Sequence, residues 1–175
     1  MGEGELAYKR YIDGDDASFE EVVALYRADV TAYALSIVRN RFDAEDIAAD
    51  VFCYLVLNKR KYNFSVPLKY YLLMICKSRA IDFLRKEKRY TALDDNMPDY
   101  GGDKVAEKII LDDRKSALYR AIGGLSAEMR SAIYLVYFEE LCYEDVAKIM
   151  KISKKKVDNL LYYAKQKLKK ELVSL

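Results

Sequence analysis

Near the C-terminal end, Lys154, Lys155 and Lys156 are followed by Asp158, Asn159 and Tyr162, spaced so that they fall toward the outer side of one helix. Ammonium groups in such a row neutralise phosphates, and an asparagine among them is placed to read a base edge. A second set lies upstream, where Lys59, Lys61, Tyr62, Lys69, Tyr71, Lys77, Ser78, Arg79, Arg85 and Lys86 mix cations with rings. Rings stack on bases that have left a duplex while cations hold the strand's phosphates, so this set suits opened rather than paired DNA. The third set is acidic: Asp43, Glu45, Asp46 and Asp50, with 43, 46 and 50 close to one helical face. Such carboxylates could bind Mg²⁺. They also sit where capping a helix start explains them, and no second acidic cluster converges on them, so a partner-binding face is the better reading and neither metal nor cofactor is expected.

Much other chemistry is excluded by residue type. The 175 residues contain no His and no Trp, and the three cysteines, Cys53, Cys76 and Cys142, form no CxxC pair. Zinc has almost no ligands to use, and hydrolases that rely on a histidine base cannot be built. Three scattered cysteines fit no disulfide framework; they read as small buried hydrophobes in a reducing compartment, with cytoplasm the expected location. The segment Met1 to Arg10 is charged without an apolar core, and the longest apolar stretch, Val51 to Leu57, is far short of a membrane span, so neither signal peptide nor membrane insertion is expected.

A net charge of only +2 conceals a pattern. Residues 1–50 hold 5 bases and 12 acids, 51–90 hold 10 and 2, 91–147 hold 6 and 12, and 148–175 hold 9 and 2. An acidic-then-basic unit thus occurs twice, each basic block interleaved with apolar and aromatic residues. One such block is as well explained by a solvated helix face; two in the same arrangement imply two structured basic surfaces.

The elements that position these sets read as helices. Phe19, Val22, Val23, Tyr26, Val30, Tyr33 and Ile37 recur at spacings of three and four, and Ser18 with Glu21 matches a capping box. A second helix is predicted to start at Asp43, which caps it, and to run to about Leu57. Pro67 suits the first turn of a third, ending in the basic run near Arg89. Turn formers and acids then crowd YTALDDNMPDYGGD, which predicts a flexible linker over 91–105 between domains at 1–90 and 106–175. Beyond it, Ala106 to Ile122 reads as one helix, Gly123-Gly124 breaks it, and Ser126 caps the next. Tyr143–Met150, a break at 151–153 and Lys154–Leu172 then read as helix, turn, helix, with Val157 and Leu161 facing Ala147 and the core. No period-two alternation is visible, and the class is all-α: two small helical domains.

In order, DAEDIAADVF, LKYYLLMICKSRAIDFLRKEKR and LSAEMRSAIYLVYFEELCYEDVAKIMKISKKKVDNLLYYAKQKLKKEL resemble the sigma-70 family of RNA polymerase sigma factors, in particular its extracytoplasmic-function group. The resemblance spans roughly residues 16–172. It implies a sigma-2 domain, a linker that threads near the polymerase active-site channel, and a sigma-4 domain. It further implies that Asp43, Asp46, Asp50 and Phe52 dock on, or support docking on, the β′ clamp helices of core RNA polymerase. Lys59 to Arg89 would recognise and melt the promoter minus-10 element with a flipped base held by the loop, and the last two helices would read the minus-35 element while their domain contacts the β-flap. An anti-sigma partner is also implied.

Several residues depart from the family's pattern. Tyr71 stands where a Trp is usual and Ser78 where an Asn is usual. Asp158, Leu160 and Tyr163 occupy positions that are often basic, while Lys154 to Lys156 add charge where small residues are common. Two other readings stand beside the sigma factor, which itself catalyses nothing. One is a polymerase-independent helix-turn-helix transcriptional regulator that binds duplex DNA alone; the other is a metal-dependent nucleic-acid enzyme using Asp43, Asp46 and Asp50.

Overall fold

The structure is a computed structural model that describes residues 1–93 and 113–173. The described residues form α1 (Glu3–Ile12), α2 (Ser18–Val38), α3 (Arg41–Leu57), α4 (Leu68–Leu93), α5 (Asp113–Gly123), α6 (Ala127–Ile133), α7 (Tyr143–Met150) and α8 (Lys154–Val173), with no strand among them. The linker predicted at 91–105 begins on the last turn of α4. Its remainder, and residues 106–112 of the helix predicted from Ala106, lie outside the described residues.

In the first bundle α2 packs against α1, α3 and α4. Its stripe of Val22, Val30, Tyr33, Ala34 and Ile37 meets Ala44, Ala48, Val51 and Leu55 of α3 and Leu72, Leu73 and Cys76 of α4, all essentially inaccessible to water. The period of three and four thus buries one face of the helix, while Phe19, Val23, Ala24, Ala28, Ala32 and Leu35 line an open groove on another.

Two expected caps are not formed. The Ser18 hydroxyl donates to the Asp15 carbonyl at 2.6 Å, and the residue before the helix is Ala17, which has no capping side chain. The turn at Asp15–Ala17 already occupies that hydroxyl. At α3 the cap is Asn40, whose side-chain oxygen accepts from the amides of Phe42 (2.9 Å) and Asp43 (3.3 Å). The chain reverses three residues earlier than a cap at Asp43 requires, because Arg39 adopts a left-handed conformation (φ 61°) that ends α2 there.

The N-terminal segment, charged and without an apolar run, forms the helix α1. It buries Ala7, Tyr8 and Tyr11, residues spaced as one helical face. Among the cysteines only Cys76 is buried, its thiol pushed up to about 12 by that burial; Cys53 and Cys142 are exposed.

In the second bundle Ser126 caps α6 by accepting from the Met129 amide at 3.2 Å. A short π-helical turn, Tyr134–Phe138, continues that helix. Leu135, Val146, Ile149, Met150, Val157, Leu161 and Ala164 form the core. Between α7 and α8 the chain turns at Lys151 (φ 55°), and the Ser153 hydroxyl accepts from the Lys156 amide at 3.2 Å, starting α8 as an N-cap does. The bundles also touch: α2 packs on α6 and α4 on α7.

Candidate nucleic-acid interface

Along α8 the inward face, Val157, Leu161 and Ala164, is buried against α6 and α7, which turns Lys154, Lys155, Lys156, Asp158, Asn159 and Tyr162 to solvent. Lys154 bonds the Glu144 carboxylate in the first turn of α7 and holds that carboxyl below its usual range. Lys156 lies 3.6 Å from Glu128. Lys155 has no carboxylate partner among the described residues, and it stands one helical turn from Asn159. A free ammonium beside an amide on one exposed helix face is what duplex reading needs.

The second surface is built on the loop from Asn58 to Pro67 and on α4. Tyr62 lies in the core at 3% exposure, its hydroxyl donating to the Val66 carbonyl at 2.6 Å. Its ring sits 4.6 Å from Phe64 and 5.1 Å from Tyr71. Phe64 is the ring at the loop surface, held at a positive φ of 60° that is rare for a bulky residue. Lys59 sits 3.8 Å over the Tyr11 ring, and Lys61 is 5.5 Å from that of Tyr54. Ser78, Arg85 and Lys86 are exposed.

Acids and cations that the sequence assigned to separate tasks share one cleft of about 500 Å³ between α3 and α4. Asp43, Asp46 and Asp50 line one wall; Arg79, Arg85, Lys86 and Arg89 line the other, together with Asp82, which pairs with Arg85 at 3.2 Å. Arg79 pairs with Asp50 at 3.2 Å and lies 5.3 Å from the Tyr54 ring. The carboxylates face guanidinium groups, and the described residues contain no group of three or more His, Cys, Asp or Glu that could hold a metal ion. Phe52, assigned with these acids, is buried in the core at 7% exposure.

Other cations of α4 face the second bundle. Lys69 lies 2.8 Å from Asp29 and 2.6 Å from Glu139; burial pulls its ammonium down, but the two carboxylates outweigh that and raise it. Lys77 donates to the Met150 carbonyl at 3.2 Å, and burial lowers its pKa. Beside them Arg130 donates to the carbonyls of Ser36 (3.0 Å), Ile37 (2.5 Å) and Leu125, and burial pulls it down to about 10. The fully buried hydroxyls of Tyr33 and Ser131 meet at 2.6 Å.

Glu139 and Arg130 were not singled out in the sequence, and Tyr33 was read only as part of the apolar stripe of α2. The one available signal was an arginine and a serine within the inward stripe of α6. Among the described residues, no helix is long and apolar enough to cross a membrane.

Residues 22–90 match the Sigma-70 region 2 family, and residues 115–168 match Sigma-70, region 4. The chain is similar to the ECF RNA polymerase sigma factor SigM of Bacillus subtilis, at 28% identity over 87% of this chain and 93% of SigM. It is also similar to SigW of the same organism, at 23% identity over 95% of both chains. Its fold matches the sigma factor RpoE of Bartonella quintana, solved in complex with the anti-sigma factor NepR, with a TM-score of 0.69, 24% identity and coverage of 88% of this chain and 96% of that one. It also matches CnrH, solved in complex with the cytosolic domain of CnrY, with a TM-score of 0.67, 18% identity and coverage of 97% and 96%.

Proposed function

The chain belongs to the sigma-70 family of RNA polymerase sigma factors, in its extracytoplasmic-function group, and we propose how its two surfaces divide the work of promoter-specific initiation. Through the first bundle it binds core RNA polymerase, with Asp43, Asp46 and Asp50 of α3 toward the β′ clamp helices and Phe52 supporting that helix from within. The loop and α4 open the minus-10 element and hold the freed strand. Lys59, Lys61, Ser78, Arg79, Arg85 and Lys86 take phosphates and base edges, Phe64 offers the accessible ring, and Tyr62 and Tyr71 stand behind it. Lys69 and Lys77 join this surface when their contacts to the second bundle open. α8 reads the minus-35 element through Lys155, Lys156, Asn159 and Tyr162, flanked by Lys154 and Asp158, while the β-flap binds the same bundle.

The observation that carries this reading is the order of matches, region 2 on the bundle with the ring-and-cation loop and region 4 on the bundle with the helix-turn-helix. The protein acts in the cytoplasm with promoter DNA, uses no cofactor and leaves the chemistry to polymerase. A partner of the anti-sigma class restrains it. That inference is supported by the complexes of RpoE with NepR and of CnrH with CnrY, whose sigma factors share this fold.

The test is duplex binding with and without core polymerase. Defined-site binding and opening that require polymerase are expected. Tight, specific binding by the chain alone, with polymerase ignored, would instead support an independent helix-turn-helix regulator.

A further inference from the structure

The loop from Asn58 to Pro67 has little secondary structure of its own, and a loop of that kind ordinarily gives its backbone polar groups to water. Here α1 takes one carbonyl at the start of the loop and the amide just past its end. The Tyr8 hydroxyl donates to the Lys59 carbonyl at 2.8 Å, where α3 has just ended. At the far end of the loop, Glu5 Oε1 accepts from the Leu68 amide at 2.6 Å. That amide opens α4, and the first amides of a helix have no partner within it. A carboxylate there satisfies one of them and sits at the positive end of the helix dipole.

Between these two bonds the ring of Tyr8 lies 5.7 Å from Tyr62 and 6.4 Å from Phe64. One turn on, Tyr11 receives the Lys59 ammonium on its face. The loop is thus held at its start, its middle and its end by one helical face.

α1 is itself fixed. A Cβ at Gly4 would collide with the Tyr26 ring of α2, so the helix backbone lies flush on that ring, a close approach only glycine permits. Tyr8 is inaccessible to water, and Glu5 is nearly so, at 9%. The residues of α1 precede the span 22–90 that matches the family, so that match assigns them nothing.

We propose that α1 is a brace for the strand-capturing loop, with Glu5 and Tyr8 as its positioning residues. They do not touch DNA. They fix the two ends of a segment whose exposed ring, Phe64, is held in an uncommon backbone conformation, and so spare the freed strand the entropy of ordering that segment. The inference rests on the proposed role of the loop in holding the opened minus-10 strand.

The experiment uses the full chain assembled with core polymerase. The probe is a single-stranded DNA oligonucleotide selected by the wild-type assembly from a random pool. Tyr8→Phe removes one hydroxyl and keeps the ring; Glu5→Ala removes the acceptor, and Glu5→Gln restores one without the charge. Strand affinity is expected to fall about three- to tenfold in Tyr8→Phe and Glu5→Ala, the worth of one hydrogen bond, with most of the loss recovered in Glu5→Gln. Affinity for core polymerase and for duplex minus-35 DNA is expected to stay at the wild-type level, a split that general loss of folding would not produce. Wild-type strand affinity in Tyr8→Phe and Glu5→Ala would overturn the brace alone. Loss of strand and polymerase affinity in parallel would reduce α1 to ordinary packing, and so also overturn it. A wild-type chain that joins no polymerase or retains no strand would overturn the sigma reading, and the brace with it.

Discussion

In α4, Lys69 bridges Asp29 and Glu139, Lys77 is spent on the Met150 carbonyl, and Arg79 is paired with Asp50. In α8, Lys155, Asn159 and Tyr162 stand on an exposed face, and Lys155 has no carboxylate partner among the described residues. The two basic blocks look equivalent as counts of charge, but in the second Lys155 stays clear of carboxylates among the described residues, although Lys154 and Lys156 are paired with Glu144 and Glu128. The first is poised: several of its cations hold the protein together until something better is offered. Charge in a sequence therefore measures capacity, and partners in the fold decide availability.

The largest effect expected concerns the rings packed behind α4. Burial raises the pKa of Tyr8, Tyr33 and Tyr62 well above the ordinary value of 10, and that of Tyr134 to about 12. Above pH 10 the unfolded chain releases these protons and the folded one keeps them, so stability falls as pH rises. The loss is roughly 1.4 kcal/mol per buried tyrosine per pH unit. Lys69, raised from 10.5, adds a contribution of the same sign that is present below 10.5 and lost as pH climbs through its folded value. Tyrosinate absorbance from these rings should appear together with loss of helix, a clean signal in a chain without Trp. Tyrosinate formed in full while helicity is kept would contradict the burial.

Arg130→Ala comes next, since it strips the Ser36 and Ile37 carbonyls of a charged donor where the bundles meet, and the Leu125 carbonyl within its own bundle. We expect the contact to weaken by about 3 kcal/mol, read as a larger radius of gyration by small-angle scattering. The same substitution should free Lys77 for DNA and release Lys69 from Glu139, its pair with Asp29 of α2 remaining, and an unchanged radius would count against the contact.

The contrast sharpens with DNA. Asn159→Ala should cost about 1–3 kcal/mol of discrimination at one base pair and leave other positions alone. Lys155→Ala should weaken duplex binding across all sequences and lower the salt slope by about one unit. Lys69→Ala, tested in the free protein, should leave that slope unchanged. Equal effects from Lys69 and Lys155 would erase the distinction between the two surfaces. Smallest of all, Arg79→Ala should change folding stability by less than about 1 kcal/mol, because its pair with Asp50 is half-exposed.

How much of this was legible depends on range. The helix-turn-helix was read from local pattern, and α7 and α8 begin where it placed them, because a sharp turn and two apolar stripes are properties of neighbouring residues. The caps at Ser18 and Asp43 were misread for a local reason: several side chains in a short stretch can cap, and the point where the chain reverses decides between them. α1 was missed because Tyr8 and Tyr11 sit among charges, although Ala7, Tyr8 and Tyr11 do repeat at helical spacing. Tyr62 was assigned to DNA on residue type and Phe52 to polymerase docking or its support on the family resemblance, and both are buried; a ring that serves the core and one that waits for a base look alike in sequence. Contacts such as Arg130 with Ser36 or Glu5 with Leu68 join residues far apart in the chain, and no local pattern announces them.

The central claim is tested most directly by assembling the chain with core RNA polymerase and mapping transcription starts from a selected promoter library. The account predicts a stable assembly that initiates at a limited set of sites sharing two sequence elements, with Asn159→Ala altering preference at the upstream element alone. Polymerase that initiates identically with and without the chain would contradict it.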